Sequence, residues 1–482
     1  MIHCLIFGAS GFLGRRLLDL GDEYKTTGTA HSHCNEGLLP LDLSRREEVD
    51  RCITELEPDI IIYAAGLTSV DACERQQDYA SCLNSDAPSY IARTFKRRFI
   101  YVSTDYVFDG TKGGYSENDT PRPINHYGRS KLAGEAAVLA ASSANVVLRV
   151  SGLFDETGTR EGTFGGGADS TGGVASEDNR LSSPVHIEDV RNALQTILRQ
   201  PNGGIFHAAG PQVLSRYEFL QIAALHRGGS YHIAPGLYSP ENSIAPRPLD
   251  TSLSTHRLCQ LGWGASTAAE CFSRSRPSIA GDDELPGWLP SHVDAVLLDC
   301  VGALLSPRNW LPADSALDQV DARCAVTTNG ASLWSEARAL AGGSSTTEIQ
   351  ESIARRYAPN PEVWPSVSVL ARRTRLALVN NGPAATFRMW VQKYRLDRVF
   401  PVIVNSEELG VRKPEPQFFH HVARQLGVPA ARCFLLDDDL QNVEGARRCG
   451  MIAAHTIERF ASSVSSFTVP GTRVSAIEKG DQ

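Results

Sequence analysis

Two series of short apolar runs, each alternating with stretches of helical pattern, constrain this chain more than any other feature. In the first series IHCLIFG (2–8), PDIIIYAAG (58–66) and RRFIYVST (97–104) have strand length, and GFLGRRLLDL (11–20) carries helical periodicity between them. The second series runs through VDAVLLDC (293–300), TRLALVNNG (374–382), VFPVIVNS (399–406) and ARCFLLDDD (431–439). Strands that are apolar throughout are buried on both faces, and strands alternating with helices form parallel sheets covered by helices. The expected class is therefore α/β, with two doubly wound parallel-sheet, Rossmann-like domains.

The length of 482 residues fits that division, because single cores stop growing well below it. SRSRPSIAGDDELPGWLPSH (273–292), rich in Ser, Pro, Gly and charge, reads as a linker. It leaves a first domain over 1–272, a second over 293–460 and a Ser/Thr-rich tail over 461–482. The glycine-rich stretch 157–179 reads as a mobile loop.

A formal charge of −8 offers no general basic field, so no nucleic-acid partner is expected. No run of 18 apolar residues is present, and no membrane span is expected. Eleven cysteines lie scattered without paired metal-ligand spacing, which suits reduced thiols and a cytoplasmic location. The sequence is compatible with an oligomer.

Three features of the first domain bear on chemistry. Gly8-Ala9-Ser10-Gly11-Phe12-Leu13-Gly14 follows the first strand and is expected to open a helix. Such glycines let backbone approach a pyrophosphate at a helix N-terminus, or simply make a tight turn. Tyr127 stands one helical turn before Lys131, on the same face. An ammonium there favours an ionised phenol and proton exchange with a carbonyl or alcohol, although the same spacing occurs on ordinary amphipathic helices. Ser103 and Thr104 end an apolar strand, where a hydroxyl serves either a reacting oxygen or a strand cap.

In combination these features resemble the extended short-chain dehydrogenase/reductases, and within them the dTDP-4-dehydrorhamnose reductases. The similarity spans about residues 1–265 and includes Leu41-Asp42-Leu43, Asn84, STDYVFDG (103–110), YGRSKLAGE (127–135), Arg149, FHAAG (206–210) and APRPLDTSL (245–253). The resemblance implies Thr104, Tyr127 and Lys131 as catalytic hydroxyl, proton donor and supporting lysine. It implies Gly8, Gly11 and Gly14 around a pyrophosphate, Phe12 and Leu13 as further cofactor contacts, Asp42 and Leu43 beside an adenine, and Ala64 and Ala65 on the ribose and nicotinamide side. The second strand ends Gly28-Thr29-Ala30-His31 without an acidic residue for a ribose hydroxyl. This favours NADPH over NADH, with Arg15 or His31 near a 2′-phosphate. The implied substrate is a nucleotide-linked 4-keto-sugar. Regulatory relatives of the same fold, the β subunits of methionine adenosyltransferase, bind a partner protein and leave a non-catalytic alternative open. A reductase of a non-sugar intermediate is a third.

In the second domain Asp299-Cys300-Val301-Gly302-Ala303-Leu304 resembles the opening motif Asp-x-Asp-Gly-Thr-Leu of the haloacid dehalogenase (HAD) superfamily. Asn381-Gly382, Gly410-Val411-Arg412-Lys413-Pro414 and Asp437-Asp438 follow in the order that superfamily requires. The resemblance implies Asp299 as nucleophile, Asp299, Asp437 and Asp438 as Mg2+ ligands, and Asn381, Gly382 and Lys413 around a phosphorylated ligand. It also implies a helical cap over about 305–372. Val301 stands where the superfamily has its general acid and base, and Asn380 replaces a Ser or Thr. A weak phosphatase, a phosphate-binding module and a relic scaffold are all compatible with that pattern.

Overall fold

The computed structural model describes residues 1–31, 37–156, 174–227, 233–274, 286–287, 289–308, 310–311, 314–324, 330–341 and 344–456. The chain divides into two compact units, Met1–Ile279 and Ala280–Gln482. The predicted tail lies outside the described residues, as do most of the predicted linker and residues 157–173 of the predicted loop.

Seven parallel strands form the sheet of the first unit: β1 (Ile2–Phe7), β2 (Tyr24–Ala30), β3 (Leu39–Pro40), β4 (Ile60–Tyr63), β5 (Arg98–Thr104), β6 (Val146–Val150) and β7 (Gly204–Ala208). Their spatial order is β7-β6-β5-β4-β1-β2-β3, so the chain reverses its direction of travel between β1 and β4. Side chains alternate across a strand, and the continuous apolar runs feed two cores at once. Cys4 and Ile6 enter one cluster with Leu17, Leu148 and Leu194, while Leu5 and Phe7 enter the other with Ile91, Phe99 and Tyr101.

Two local expectations for this unit are corrected. The helix expected after the glycine turn is a single 3-10 turn, Arg16–Leu18. Leu13, Leu17 and Leu20 already reach the core from turns, and Gly21, at φ 93°, redirects the chain towards β2. The end of the predicted loop is ordered, because Val174–Glu177 pairs in parallel with Ile233–Gly236.

The second unit holds five parallel strands: β8 (Ala295–Asp299), β9 (Arg375–Asn380), β10 (Val402–Asn405), β11 (Cys433–Asp437) and β12 (Ile452–His455), in the order β10-β9-β8-β11-β12. The central strand β8 ends at Asp299, between neighbours ending at Asn380 and Asp437. Within the expected cap, an antiparallel pair (Leu305–Pro307 with Tyr357–Pro359) makes a stem. Three helices, Ser315–Cys324, Gly330–Leu340 and Thr346–Arg355, close around Val320, Leu333 and Ile353. No helix among the described residues is long and apolar enough to cross a membrane.

Candidate active sites

At the carboxyl ends of β1, β4 and β5 lies a cavity of about 450 Å³, where open α/β sheets place their ligands. Its walls include Gly8, Gly11, Phe12, Leu13, Asp42, Leu43, Ala64, Ala65, Thr104, Tyr127 and Lys131, so the glycine turn and the side chains predicted to react meet in one space. Gly14 and Arg15 are absent from that wall. A Cβ on Gly14 would lie 2.1 Å from the Gly8 carbonyl oxygen, so its lack of a side chain keeps the turn tight from behind. Gly8 is equally confined, with room for only a hydrogen against Ala65 at 2.7 Å. With one 3-10 turn behind it, the loop offers close backbone approach rather than a long helix dipole.

Helix His126–Ala141 carries Tyr127 and Lys131, its N-terminus capped by the Asn125 side chain accepting from Gly128 N–H at 2.9 Å. Lys131 Nζ donates to the Val102 carbonyl at 2.8 Å and stands 4.5 Å from the Tyr101 ring centre. Burial lowers the lysine to about 8, so its charge is retained at neutral pH and lost in mild alkali. Thr104 Oγ1 donates to Asp105 at 3.1 Å. Asp105 also accepts from Ser151 (2.8 Å) and Thr251 (2.7 Å), and burial raises its carboxyl.

Two features of this site emerge only with folding. Glu135, one turn beyond Lys131, forms a two-pronged ion pair with Arg149 of β6, with Nη2 to Oε2 at 2.7 Å and Nε to Oε1 at 2.9 Å. Ser103 Oγ donates to the same carboxylate at 2.5 Å, so the pair ties helix His126–Ala141 to the strand end holding Thr104. A second cavity of about 320 Å³ shares Asp105, Tyr106, Gly152 and Leu153 with the first. Three arginines line it. Arg180 donates to the Tyr106 hydroxyl and to Glu177, each at 2.6 Å, and Arg247 pairs with Asp71 at 2.9 Å. Arg216 is exposed at the start of helix Arg216–Arg227. Tyr106 in turn packs edge-on against Tyr127, with ring centres 5.8 Å apart.

In the second unit, Lys413 Nζ lies 2.6 Å from both Asp299 Oδ1 and Asp437 Oδ2, with 1% of its side chain exposed. Burial pushes the Asp299 carboxyl well up against the opposing pull of this ammonium, while Asp299 and Asp437 hold the lysine proton firmly. Donor oxygens of Asp299, Asp437 and Asp438 come within 4.8 Å of one another. Three acidic groups face one ammonium here, and hard oxygen donors in this number suit Mg2+. Gly302, at φ 95°, permits this packing, since a Cβ there would lie 2.0 Å from Asp438 Cγ.

The two expected phosphate contacts beside Lys413 are engaged internally. Asn381 Nδ2 donates to the Lys413 carbonyl (2.9 Å), and its Oδ1 accepts from the Lys413 N–H (3.0 Å). Gly382 N–H donates to Ser406 Oγ at 3.1 Å. Asn381 therefore positions the lysine's backbone. Asn442, with no role assigned from sequence, donates Nδ2 to Asp437 Oδ1 at 3.0 Å.

The family model of the RmlD substrate binding domain matches residues 2–268, more than half of the chain. The chain belongs to the RmlD family. A haloacid dehalogenase-like hydrolase model matches residues 335–450, and this RmlD-family protein therefore carries a HAD-like domain later in its sequence. That match begins after Asp299, which the sheet nevertheless brings beside Lys413 and Asp437. The methionine adenosyltransferase 2 subunit beta of Mus musculus is 32% identical over 279 residues, spanning 55% of this chain and 83% of that protein. The probable low-salt glycan biosynthesis reductase Agl14 of Haloferax volcanii is 32% identical over 235 residues, spanning 45% of this chain and 78% of that protein. The structure of dTDP-4-dehydrorhamnose reductase from Bacillus anthracis in complex with NADP matches with a TM-score of 0.51 at 25% identity, covering 57% of this chain and 98% of that one. The first unit is thus of an oxidoreductase family with a Rossmann fold.

Proposed function

We propose that the RmlD-family unit is an NADPH-dependent reductase of a nucleotide-linked 4-keto-sugar. The observation that carries this reading is the convergence of the glycine turn, Thr104, Tyr127 and Lys131 on one cavity that adjoins an arginine-lined second cavity. The first is shaped for a dinucleotide, with glycines where side chains would collide with neighbouring backbone. The second offers cationic and aromatic walls to a diphosphate and its sugar. A reduced nicotinamide bound in the first cavity supplies the hydride. Tyr127 gives its phenolic proton to the ketone oxygen, Thr104 orients that oxygen, and the Lys131 ammonium favours the phenolate left behind.

In the second unit, Asp299 and Lys413 bind a phosphorylated ligand, with Asp299, Asp437 and Asp438 as the Mg2+ ligands. The NADP complex of the Bacillus anthracis reductase adds support for the cofactor.

The test follows nicotinamide absorbance with NADPH or NADH and dTDP-4-keto-6-deoxyglucose. Oxidation by the native protein, lost in Tyr127→Phe with cofactor affinity retained, is the expected result. Likeness to methionine adenosyltransferase β subunits favours one second reading, a cofactor-binding regulator of a partner enzyme. That reading predicts tight cofactor binding, no oxidation, and a function indifferent to Tyr127→Phe.

A further inference from the structure

On the reading of Asp299 as nucleophile and Lys413 as phosphate-binding cation, the residue two places after Asp299, where the HAD resemblance puts a proton carrier, is Val301. Asp299 ends the central strand and receives Lys413 Nζ at 2.6 Å. The turn that follows is fixed by Leu304 N–H donating to the Asp299 carbonyl (2.9 Å) and Gly302 N–H donating to the Leu305 carbonyl (2.7 Å). Val301 stands in this turn, and an isopropyl group neither gives nor takes a proton. The imidazole joined to the cluster, His455, is hydrogen-bonded through Nε2 to the Asp438 carbonyl at 2.8 Å. Asn442, only 4% exposed, leaves Oδ1 without a hydrogen-bond partner while its Nδ2 is fixed on Asp437. This buried acceptor lies beside the carboxylates, where a hydrogen-bond donor of a bound molecule or a water can reach it.

We propose that this centre accepts phosphoryl groups from acyl phosphates and retains them as an aspartyl phosphate on Asp299. The proposal rests on the reading of Asp299 and Lys413 as a phosphoryl site and names its donor class. The leaving group decides the class. Phosphate esters expel an alkoxide, which must be protonated as the P–O bond breaks. Acyl phosphates expel a carboxylate, which needs no proton. A carboxylate oxygen of Asp299 attacks phosphorus, the bond from phosphorus to the acyl oxygen breaks, and its electron pair leaves on the carboxylate. No proton or redox partner is consumed. Hydrolysis of the new mixed anhydride calls for a base to activate water. Without that help the step slows by roughly 10²–10⁴-fold, so the phosphoryl group stays on the protein.

The experiment incubates the full chain with Mg2+ and acetyl phosphate and reads intact mass, with peptide mapping of the modified residue. The expected result is one added phosphoryl mass on Asp299, absent in Asp299→Asn and released by hydroxylamine. Val301→Asp restores a proton carrier, so its adduct decays at least tenfold faster with steady release of inorganic phosphate. Binding of inorganic phosphate with Mg2+ is measured alongside by calorimetry, with Lys413→Ala as control. Phosphate binding without an adduct overturns the donor assignment and leaves the phosphoryl site standing. Neither binding nor adduct, in protein whose melting profile is native, overturns both. Multiple turnover of glucose 6-phosphate by the native chain also refutes the proposal, because it requires the proton carrier argued to be missing.

Discussion

Replacing Arg149 by methionine tests the brace beneath the reductase site. Glu135 and Arg149 are 2% and 1% exposed, and the arginine supplies all but one of the carboxylate's hydrogen bonds. Methionine keeps much of the volume and removes the cation, leaving a buried charge served by the Ser103 hydroxyl alone. Removing one partner of such a pair costs about 3–5 kcal/mol. For a unit of this size, each kcal/mol moves the melting midpoint by about 2–4 °C, so the fall is roughly 6–20 °C. Scanning calorimetry reads it, and the HAD-like unit's transition should be unmoved if the units melt separately. Replacing both members, as Glu135→Leu with Arg149→Met, removes the stranded charge and should restore most of the loss. A single variant within about 1 kcal/mol of native, or a double variant no better than the single, refutes the reasoning.

Four further outcomes follow from three positions described above. Because burial lowers Lys131 to about 8, reduction should decline as pH rises through that value, and Lys131→Arg should shift the decline to higher pH in a pH–rate profile. The same shift runs the other way for stability. Below about 8 the folded state carries a costly buried ammonium, so unfolding free energy should rise as pH passes from there towards the ordinary lysine value of 10.5. Gly14→Ala places a methyl 2.1 Å from the Gly8 carbonyl oxygen and should weaken NADPH binding at least tenfold by fluorescence titration. Gly302→Ala drives a Cβ into the Asp438 carboxylate, so Mg2+ affinity measured by calorimetry should drop by at least tenfold while the reductase unit's melting is unchanged.

Much of the scaffold was legible because a buried parallel strand has a plain signature. Each of the seven apolar runs singled out in the sequence contains a sheet strand, from Ile2–Phe7 to Cys433–Asp437. The segment after the glycine turn misled for an identifiable reason. Leu13, Leu17 and Leu20 have helical spacing, but tertiary packing accepts them from turns just as well. The Asn381 side chain was legible by type and not by target, since an amide serves a phosphate or a backbone equally. Arg180, Arg216 and Arg247 are separated along the chain and become neighbours only through folding of the region beyond β6. Glu135 and Arg149 sat inside recognisable motifs, yet their partnership depends on which side of β6 faces the helix.

The wall common to the two cavities bears on how such a protein changes its preferences over generations. Asp105, Tyr106, Gly152 and Leu153 belong to both compartments, so under the proposed function a substitution among them alters the hydride carrier's berth and the acceptor's berth together. A lineage drifting towards a new acceptor has its freer positions on the far side, at Arg216, Phe219 and Leu220, which border only the second cavity. Divergence within this architecture should accumulate there first, while the shared wall stays fixed across proteins whose acceptors differ.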